Sequence, residues 1–213
     1  MVTDEQSALL NQKSVRDKIS WEEIVTAARR IQIEPCALQA VCAVESSGHG
    51  FLPSGRPKIL FEGHTFWREL AKHRYQPEIL AARFPSIIYQ QWTAQHYLGG
   101  EKEYARLETA ISLHREAALC STSWGAFQIM GFNFALCGFH SVEDFVAAQS
   151  RGNHEQLEAF CQFIAAKNLC IYLQNKDWVS FARGYNGLGY AQNRYDLKLT
   201  DAYQRCLQTQ LMR

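Results

Sequence analysis

Apolar residues recur at helical spacing through most of the chain, with polar residues between them. Ser20-Trp-Glu-Glu23 has the pattern of a capping box and predicts a helix that runs to about Ile31. A second helix is predicted from Glu34-Pro35, because proline fits the first turn of a helix. Its apolar stripe consists of Leu38, Val41, Cys42 and Val44.

A loop rich in glycine and proline ends the second helix, and Lys58–Glu62 after it predicts a short strand, either isolated or one arm of a hairpin. Amphipathic or apolar stretches predict the remaining helices at 101–119, 121–130 (after a cap at Ser121), from Ser141 onward, 154–173, 177–183 and about 197–210. The chain is therefore predicted to be mainly α, with one small β element after the second helix.

Length and composition fit one compact domain, which could have two lobes around a cleft. The 213 residues are 47% hydrophobic, enough for a substantial core. We predict an N-terminal extension over residues 1–19 and a single domain over 20–213. The formal net charge of +1 gives no concentrated basic face, so no nucleic-acid partner is expected. We expect a monomer.

No stretch reaches the roughly 20 apolar residues of a membrane span, and Met1–Ser20 lacks the apolar core of a secretory signal. We therefore expect synthesis in the cytoplasm and no insertion into a membrane. The seven cysteines form no C-x-x-C pair, and most have apolar neighbours. Buried free thiols are favoured over disulfides or zinc ligands. The scattered histidines give no metal site, and no cofactor is expected.

Three segments carry candidate chemistry. In the first, Ala43-Val-Glu-Ser-Ser-Gly48, Glu45 ends a helix before a glycine-rich loop. The helix C-terminus and apolar neighbours both disfavour an ionised carboxylate, so the pKa of Glu45 should be raised, as a general acid near neutral pH requires. Taken alone, an exposed glutamate on the last helical turn is the commoner interpretation.

The second segment, residues 121–131, contains Ser123 and Gln128 among apolar residues, where their polar groups need partners in the protein or in a ligand. The third, residues 182–187, contains Tyr185 and Asn186 before a glycine-rich turn. That pair either ends a helix, or faces a ligand, or holds Glu45 in place.

In this order, E-S-S-G, S-x-S-W-G-x-F-Q-I-M and Y-N-G resemble the superfamily of goose-type lysozymes and lytic transglycosylases. The flanking segments Ile59-Leu-Phe-Glu-Gly-His64 and Glu116-Ala-Ala-Leu narrow this to a resemblance to the N-acetylmuramidase domains of phage endolysins and some bacterial toxins. The likeness runs from about residue 20 to 210. It implies a helical, lysozyme-like domain in which the catalytic glutamate ends a helix before a small β element.

The resemblance also implies peptidoglycan glycan strands as the substrate and two catalytic residues, Glu45 and Glu62. Glu45 would protonate the bond between N-acetylmuramic acid and N-acetylglucosamine, and Glu62 would supply a second carboxylate function. A surface residue, or a partner of His64, is the alternative for Glu62. The glycan would lie in a cleft between the N-terminal helices and residues 154–173. The expected substrate contacts are Ser123, Gln128, Tyr185 and Asn186, with Trp124, Phe66 or Met130 as apolar faces.

The sequence departs from the family pattern at two places. Ser47-Gly48 stands where two glycines are common, and Gly63 stands where arginine often follows the second glutamate. A lytic transglycosylase, which needs one catalytic carboxyl, and a non-catalytic wall-binding module both stay open as alternatives. A phage lysin and an interbacterial toxin would share this site and act on the wall after release or delivery. A toxin would add an immunity protein and a secretion machine as partners.

Overall fold

The structure is a computed structural model that describes residues 19–45, 50–187 and 194–212. The chain divides into two compact units, one formed by Met1–His49 with Asn153–Arg213 and the other by Gly50–Gly152. None of the described helices is long and apolar enough to cross a membrane. The predicted boundary between an extension and a single domain stays a prediction.

In the described residues of the first unit, every element of regular secondary structure is a helix. Its helices, in chain order, are α1 (Trp21–Arg30), α2 (Pro35–Glu45), α8 (Asn153–Ala166), α9 (Cys170–Gln174), α10 (Trp178–Asn186) and α11 (Tyr195–Leu211). The capping box is present, since the Ser20 hydroxyl accepts from Glu23 N–H while the Glu23 carboxylate accepts from Ser20 N–H. The core consists of fully buried Ile24, Leu38, Leu157, Phe160, Ile164, Phe181 and Leu199. Burial of such side chains contributes about 1.5–3 kcal/mol each.

The second unit has a small antiparallel sheet of strands β1 (Ile59–Phe61), β2 (Thr122–Trp124) and β3 (Ile129–Met130), in that order. Around it lie α3 (Gly63–Lys72), α4 (Pro77–Arg83), α5 (Lys102–Leu113), α6 (Arg115–Cys120), a 3₁₀ helix (Gly131–Cys137) and α7 (Val142–Arg151). Phe61 pairs with Thr122 and Ile59 with Trp124. Phe61, Phe66, Leu70, Leu107 and Phe145 form the core.

The predicted helix over 121–130 is wrong, because this segment is the β2–β3 hairpin. Gly125 and Gln128 have φ values of 72° and 48°, which bend the chain back on itself and break any helical path. Thr122 and Trp124 are residue types that favour strands. The small β element after the second helix is therefore the first of three strands.

Two predicted helices are each divided. The 101–119 helix breaks at His114, whose extended backbone (φ −161°, ψ 106°) starts α6 and whose Nδ1 accepts from Ala117 N–H. The 154–173 helix ends at Ala166, because Asn168 adopts a left-handed φ of 56°, and α9 follows it. The helical pattern was correct, but the breaks lie at residues with no strong sequence signal.

Two of the seven cysteines depart from the favoured interpretation as free thiols. Cys36 on α2 and Cys206 on α11 form a disulfide between residues 170 positions apart. Cys120, Cys137 and Cys161 are free and buried, Cys170 is free and partly buried, and Cys42 is buried. The bridge joins the two helices that pack most extensively in the first unit.

Replacing both bridge cysteines, Cys36→Ser with Cys206→Ser, should lower the free energy of unfolding by about 2–4 kcal/mol, because the bridge restricts a very long loop in the unfolded chain. Urea denaturation of wild type and variant, each with and without reductant, measures this. Cys170→Ser is the control, since that thiol is free. Equal denaturation midpoints for oxidised wild type and the double variant would contradict the expectation.

Candidate active site

Glu45 is the last residue of α2, as predicted from the glycine-rich loop that follows it in the sequence. Asn186, the last residue of α10, donates from Nδ2 to Glu45 Oε1 at 3.2 Å. Burial raises the pKa of Glu45 to about 7, while the Asn186 hydrogen bond and the charge of Lys198 act in the opposite direction. The cost of desolvation exceeds both favourable contacts, so the carboxyl is about half protonated near neutral pH.

Two residues of α11 interact electrostatically with Glu45, and no pattern in the sequence pointed to either. The charge of Lys198 acts to lower the pKa of Glu45, and burial together with the charge of Glu45 raises the pKa of Tyr195. Thus α2 carries the Glu45 carboxyl, and α10 and α11 both carry residues that interact with it. Ser46, Ser47 and Gly48 lie outside the described residues.

Tyr185 packs on the core of the first unit. Its ring is stacked on Phe181 at 5.7 Å and meets Phe160 and Phe163 edge to face. Of the three alternatives for the Tyr-Asn pair, the hydrogen bond from Asn186 agrees with holding Glu45, and Asn186 is also the last residue of its helix. Tyr185 fixes the helix end from which Asn186 reaches that carboxyl.

Glu62 lies between β1 and α3 in the second unit, with its side chain 14% exposed. The hydroxyl of Tyr97 donates to Glu62 Oε2 at 2.7 Å. His64 Nδ1 lies 3.2 Å from the same oxygen, close enough for attraction, but it lacks the alignment of a hydrogen bond. Burial lowers the pKa of His64. The His64 contact matches the structural alternative for Glu62, and Tyr97 is a partner that the sequence did not reveal.

The structure explains why glycine stands at position 63, where arginine is common in the family that the sequence resembles. A Cβ at this position would lie 2.3 Å from the Tyr89 ring and 2.5 Å from the carbonyl oxygen of Ile87. Instead the Gly63 N–H donates to the Tyr89 hydroxyl at 3.2 Å. The Tyr89 ring therefore occupies the space that a side chain after Glu62 would need.

Ser123 and Gln128 are joined in the β2–β3 hairpin. The Ser123 hydroxyl donates to Gln128 Oε1 at 2.9 Å, and Gln128 Nε2 donates to the carbonyls of Gly125 (2.8 Å) and Lys58 (3.3 Å). Their polar atoms therefore have partners within the protein and brace the turn. Gln128 is nonetheless exposed, whereas Ser123 is buried.

The three apolar side chains predicted to contact a sugar, Phe66, Trp124 and Met130, differ in solvent exposure. Phe66 is fully buried against Phe61, and Trp124 is 3% exposed, with its indole N–H donating to the Leu119 carbonyl. Neither ring offers a face to a ligand in this conformation. Met130 is partly exposed. Among these, the expectation of a sugar contact is therefore retained for Met130 alone.

The cavity of about 310 Å³ in the first unit lies between α1, α2 and α11 rather than beside α8. Its lining includes Trp21, Gln39, Arg205 and Gln210. The expected cleft beside residues 154–173 stays a prediction. Within the described part of the chain, no group of three or more His, Cys, Asp or Glu side chains could hold a metal ion.

Comparison with known proteins agrees with the resemblance in the sequence. Residues 34–207 match the family model described as N-acetylmuramidase. The crystal structure of the Burkholderia AP3 phage endolysin is similar, with a TM-score of 0.83 and 43% sequence identity. The match covers 89% of this chain and 71% of that one, and it confirms the lysozyme-like fold class. None of the curated proteins matches.

Glu45→Gln should stabilise the protein in a defined pH window. The pKa of Glu45 rises on folding from 4.5 to about 7, so the folded state binds the proton more tightly and loses stability as the pH rises through that interval. Above pH 7 the variant should be more stable by about 1–3 kcal/mol, a value reduced for partial exposure, and below pH 4.5 the two should be equal.

Denaturation midpoints of wild type and Glu45→Gln from pH 4 to pH 8.5 provide the measurement. Glu108→Gln is the matched control, because that side chain is 71% exposed. A constant difference between wild type and Glu45→Gln across the whole range would refute the raised pKa.

Proposed function

Because this chain belongs to the N-acetylmuramidase family and is a glycoside hydrolase of the lysozyme type, we propose that it hydrolyses the β-1,4 bond between N-acetylmuramic acid and N-acetylglucosamine in peptidoglycan. One observation carries this proposal. Glu45 is a carboxyl whose burial places its pKa at about 7, so it can hold a proton at neutral pH and release it to a leaving oxygen.

In the proposed reaction, the Glu45 carboxyl donates its proton to the bridging oxygen as the bond from that oxygen to C1 of N-acetylmuramic acid breaks. N-acetylglucosamine leaves as the alcohol, and positive charge develops on the muramic ring. Water then adds at C1, and the proton that it loses restores the Glu45 carboxyl over the full cycle. Asn186 keeps Oε1 of Glu45 in one orientation throughout.

Glu62 is proposed as the second carboxylate. Its Oε2 accepts a hydrogen bond from Tyr97. A second carboxylate can stabilise positive charge, activate water or attack carbon. Gln128 and Met130, which reach the surface of the second unit, remain the proposed sugar contacts there. The similarity to the Burkholderia AP3 phage endolysin supports the further proposal that this protein serves as an endolysin acting on the cell wall.

Digestion of purified Gram-negative peptidoglycan tests the reaction. Wild type should release fragments with reducible muramic acid ends, whereas Glu45→Gln and Glu62→Gln should each lose at least about 100-fold in rate, since each lacks one carboxylate function. Mass spectrometry before and after borohydride reduction identifies the ends.

The other outcomes of this digestion are equally specific. Anhydro-muramic ends that survive Glu62→Gln would make the enzyme a lytic transglycosylase. Reducible glucosamine ends would mean that the other glycosidic bond is cut. A folded protein that binds the wall and releases no fragments would be a binding module.

The pH profile of kcat/KM on a soluble glycan hexamer tests the role of Glu45 as the acid. Since this role needs the protonated form, activity should fall as the pH rises through about 7. Lys198→Met removes a charge that lowers the pKa of Glu45, so the fall should move to higher pH by a few tenths of a unit. Lys198→Arg retains the charge and should leave the profile in place. An unmoved profile in Lys198→Met would contradict the assignment.

A further inference from the structure

Residues 84–101, between α4 and α5, have no regular secondary structure. Loops longer than about 12–15 residues without their own helices or strands are uncommon in compact domains and are often functional. This loop contains four large aromatic residues, Phe84, Tyr89, Trp92 and Tyr97. Trp92 is 64% exposed, an unusual position for so large an apolar ring.

Tyr97 connects this loop to Glu62, because its hydroxyl donates to Glu62 Oε2 at 2.7 Å. A phenol has one proton to donate, so that proton is directed at the carboxylate. Burial raises the pKa of Tyr97, and the nearby Trp92 side chain acts in the opposite direction. Trp92 therefore lies beside the partner of Glu62 while most of its ring faces water.

The loop is held in place by buried polar contacts. Glu103 accepts hydrogen bonds from the N–H groups of Leu98 (2.6 Å) and Gly99 (3.0 Å), next to Tyr97. Arg106 donates to the Ser86 carbonyl at 3.2 Å and to the Tyr89 hydroxyl at 3.4 Å. Both ends of the loop are thus fixed, and Trp92 and Tyr97 are presented in a set arrangement relative to Glu62.

We propose that Trp92 is a stacking platform for a pyranose ring of the glycan strand and that Tyr97 is the positioning residue of Glu62. The exposed indole offers an apolar face to the C–H face of a sugar. Tyr97 fixes which oxygen of Glu62 faces the substrate. This inference rests on the proposed function, because it takes Glu62 as a working carboxylate.

The platform is tested by binding in the Glu45→Gln background, which leaves the ligand uncut. The probe is a tetrasaccharide of alternating N-acetylglucosamine and N-acetylmuramic acid, measured by calorimetry. Trp92→Ala should weaken the Kd about 3- to 10-fold, the size expected for one aromatic contact. Trp92→Phe keeps a ring and should stay within about twofold.

Tyr75→Ala is the control for the loss of an exposed ring, because Tyr75 is 45% exposed on the same unit and contacts His114 rather than Glu62. Its Kd should equal that of the background. A Trp92→Ala protein that is as stable as the background and binds the tetrasaccharide equally well would overturn the platform.

The positioning role is tested by steady-state kinetics. Tyr97→Phe removes only the hydroxyl and should lower kcat about 10-fold while KM stays within about twofold, because the affected contact acts on the reacting carboxylate rather than on binding. Tyr104→Phe is the matched control, since its hydroxyl donates to the Pro57 carbonyl instead. Tyr104→Phe should retain full kcat.

The double variant separates a positioning role from a structural one. In the Glu62→Gln background Tyr97→Phe should have no further effect on kcat, since residues that act as a unit are not additive. An equal loss in both backgrounds would overturn the positioning role.

Failure of the proposed function gives a different pattern. If wild type releases no fragments and Trp92→Ala still weakens tetrasaccharide binding, the platform stands and hydrolysis fails. If both glutamate variants lose activity and Trp92→Ala binds normally, the platform alone fails.

Discussion

The arrangement around Glu62 depends on a buried ion pair. Glu103 and Arg106 lie one turn apart on α5, with side chains 0% and 5% exposed, and their charged groups meet at 2.8 Å. Burying two charges is costly unless each one is paired and hydrogen-bonded. Here Glu103 accepts from the N–H of Phe61 and from the far end of the 84–101 loop, while Arg106 donates to the Phe61 carbonyl and to Ser86. One pair therefore fixes both the strand before Glu62 and the loop that carries Tyr97.

Glu45 in the first unit is also a buried carboxyl, but its surroundings differ from those of the Glu103–Arg106 pair. This carboxyl is largely buried, accepts a hydrogen bond from the Asn186 amide and interacts electrostatically with Lys198. Desolvation prevails, and the pKa rises to about 7. The Cys36–Cys206 bridge ties α2 to α11, so the helix that ends in Glu45 and the helix that carries Lys198 are joined covalently. One glutamate thus has the surroundings of a proton donor, and Glu62 has those of a hydrogen-bond acceptor.

Local rules gave reliable predictions where a few neighbouring residues decide the structure. The capping box at Ser20, the start of α2 at Pro35 and the end of α2 at Glu45 all follow from residues within one turn. The 121–130 segment was mispredicted because its apolar run fits a buried strand as well as a helix. Pairing with β1 selects the strand, and a turn with positive φ at Gly125 and Gln128 permits it. That choice depends on a partner about sixty residues away.

The sequence by itself determined the helical class, the candidate glutamates and, through its ordered motifs, the family. These depend on local periodicity and on residue identity, both of which can be seen in one dimension. Only the tertiary structure decided that Cys36 meets Cys206, that Tyr97 donates a hydrogen bond to Glu62, and that Gly63 leaves space for the Tyr89 ring. Each of these contacts joins residues far apart in the chain, and no local pattern encodes which distant side chain will fill a given space or accept a given hydrogen bond.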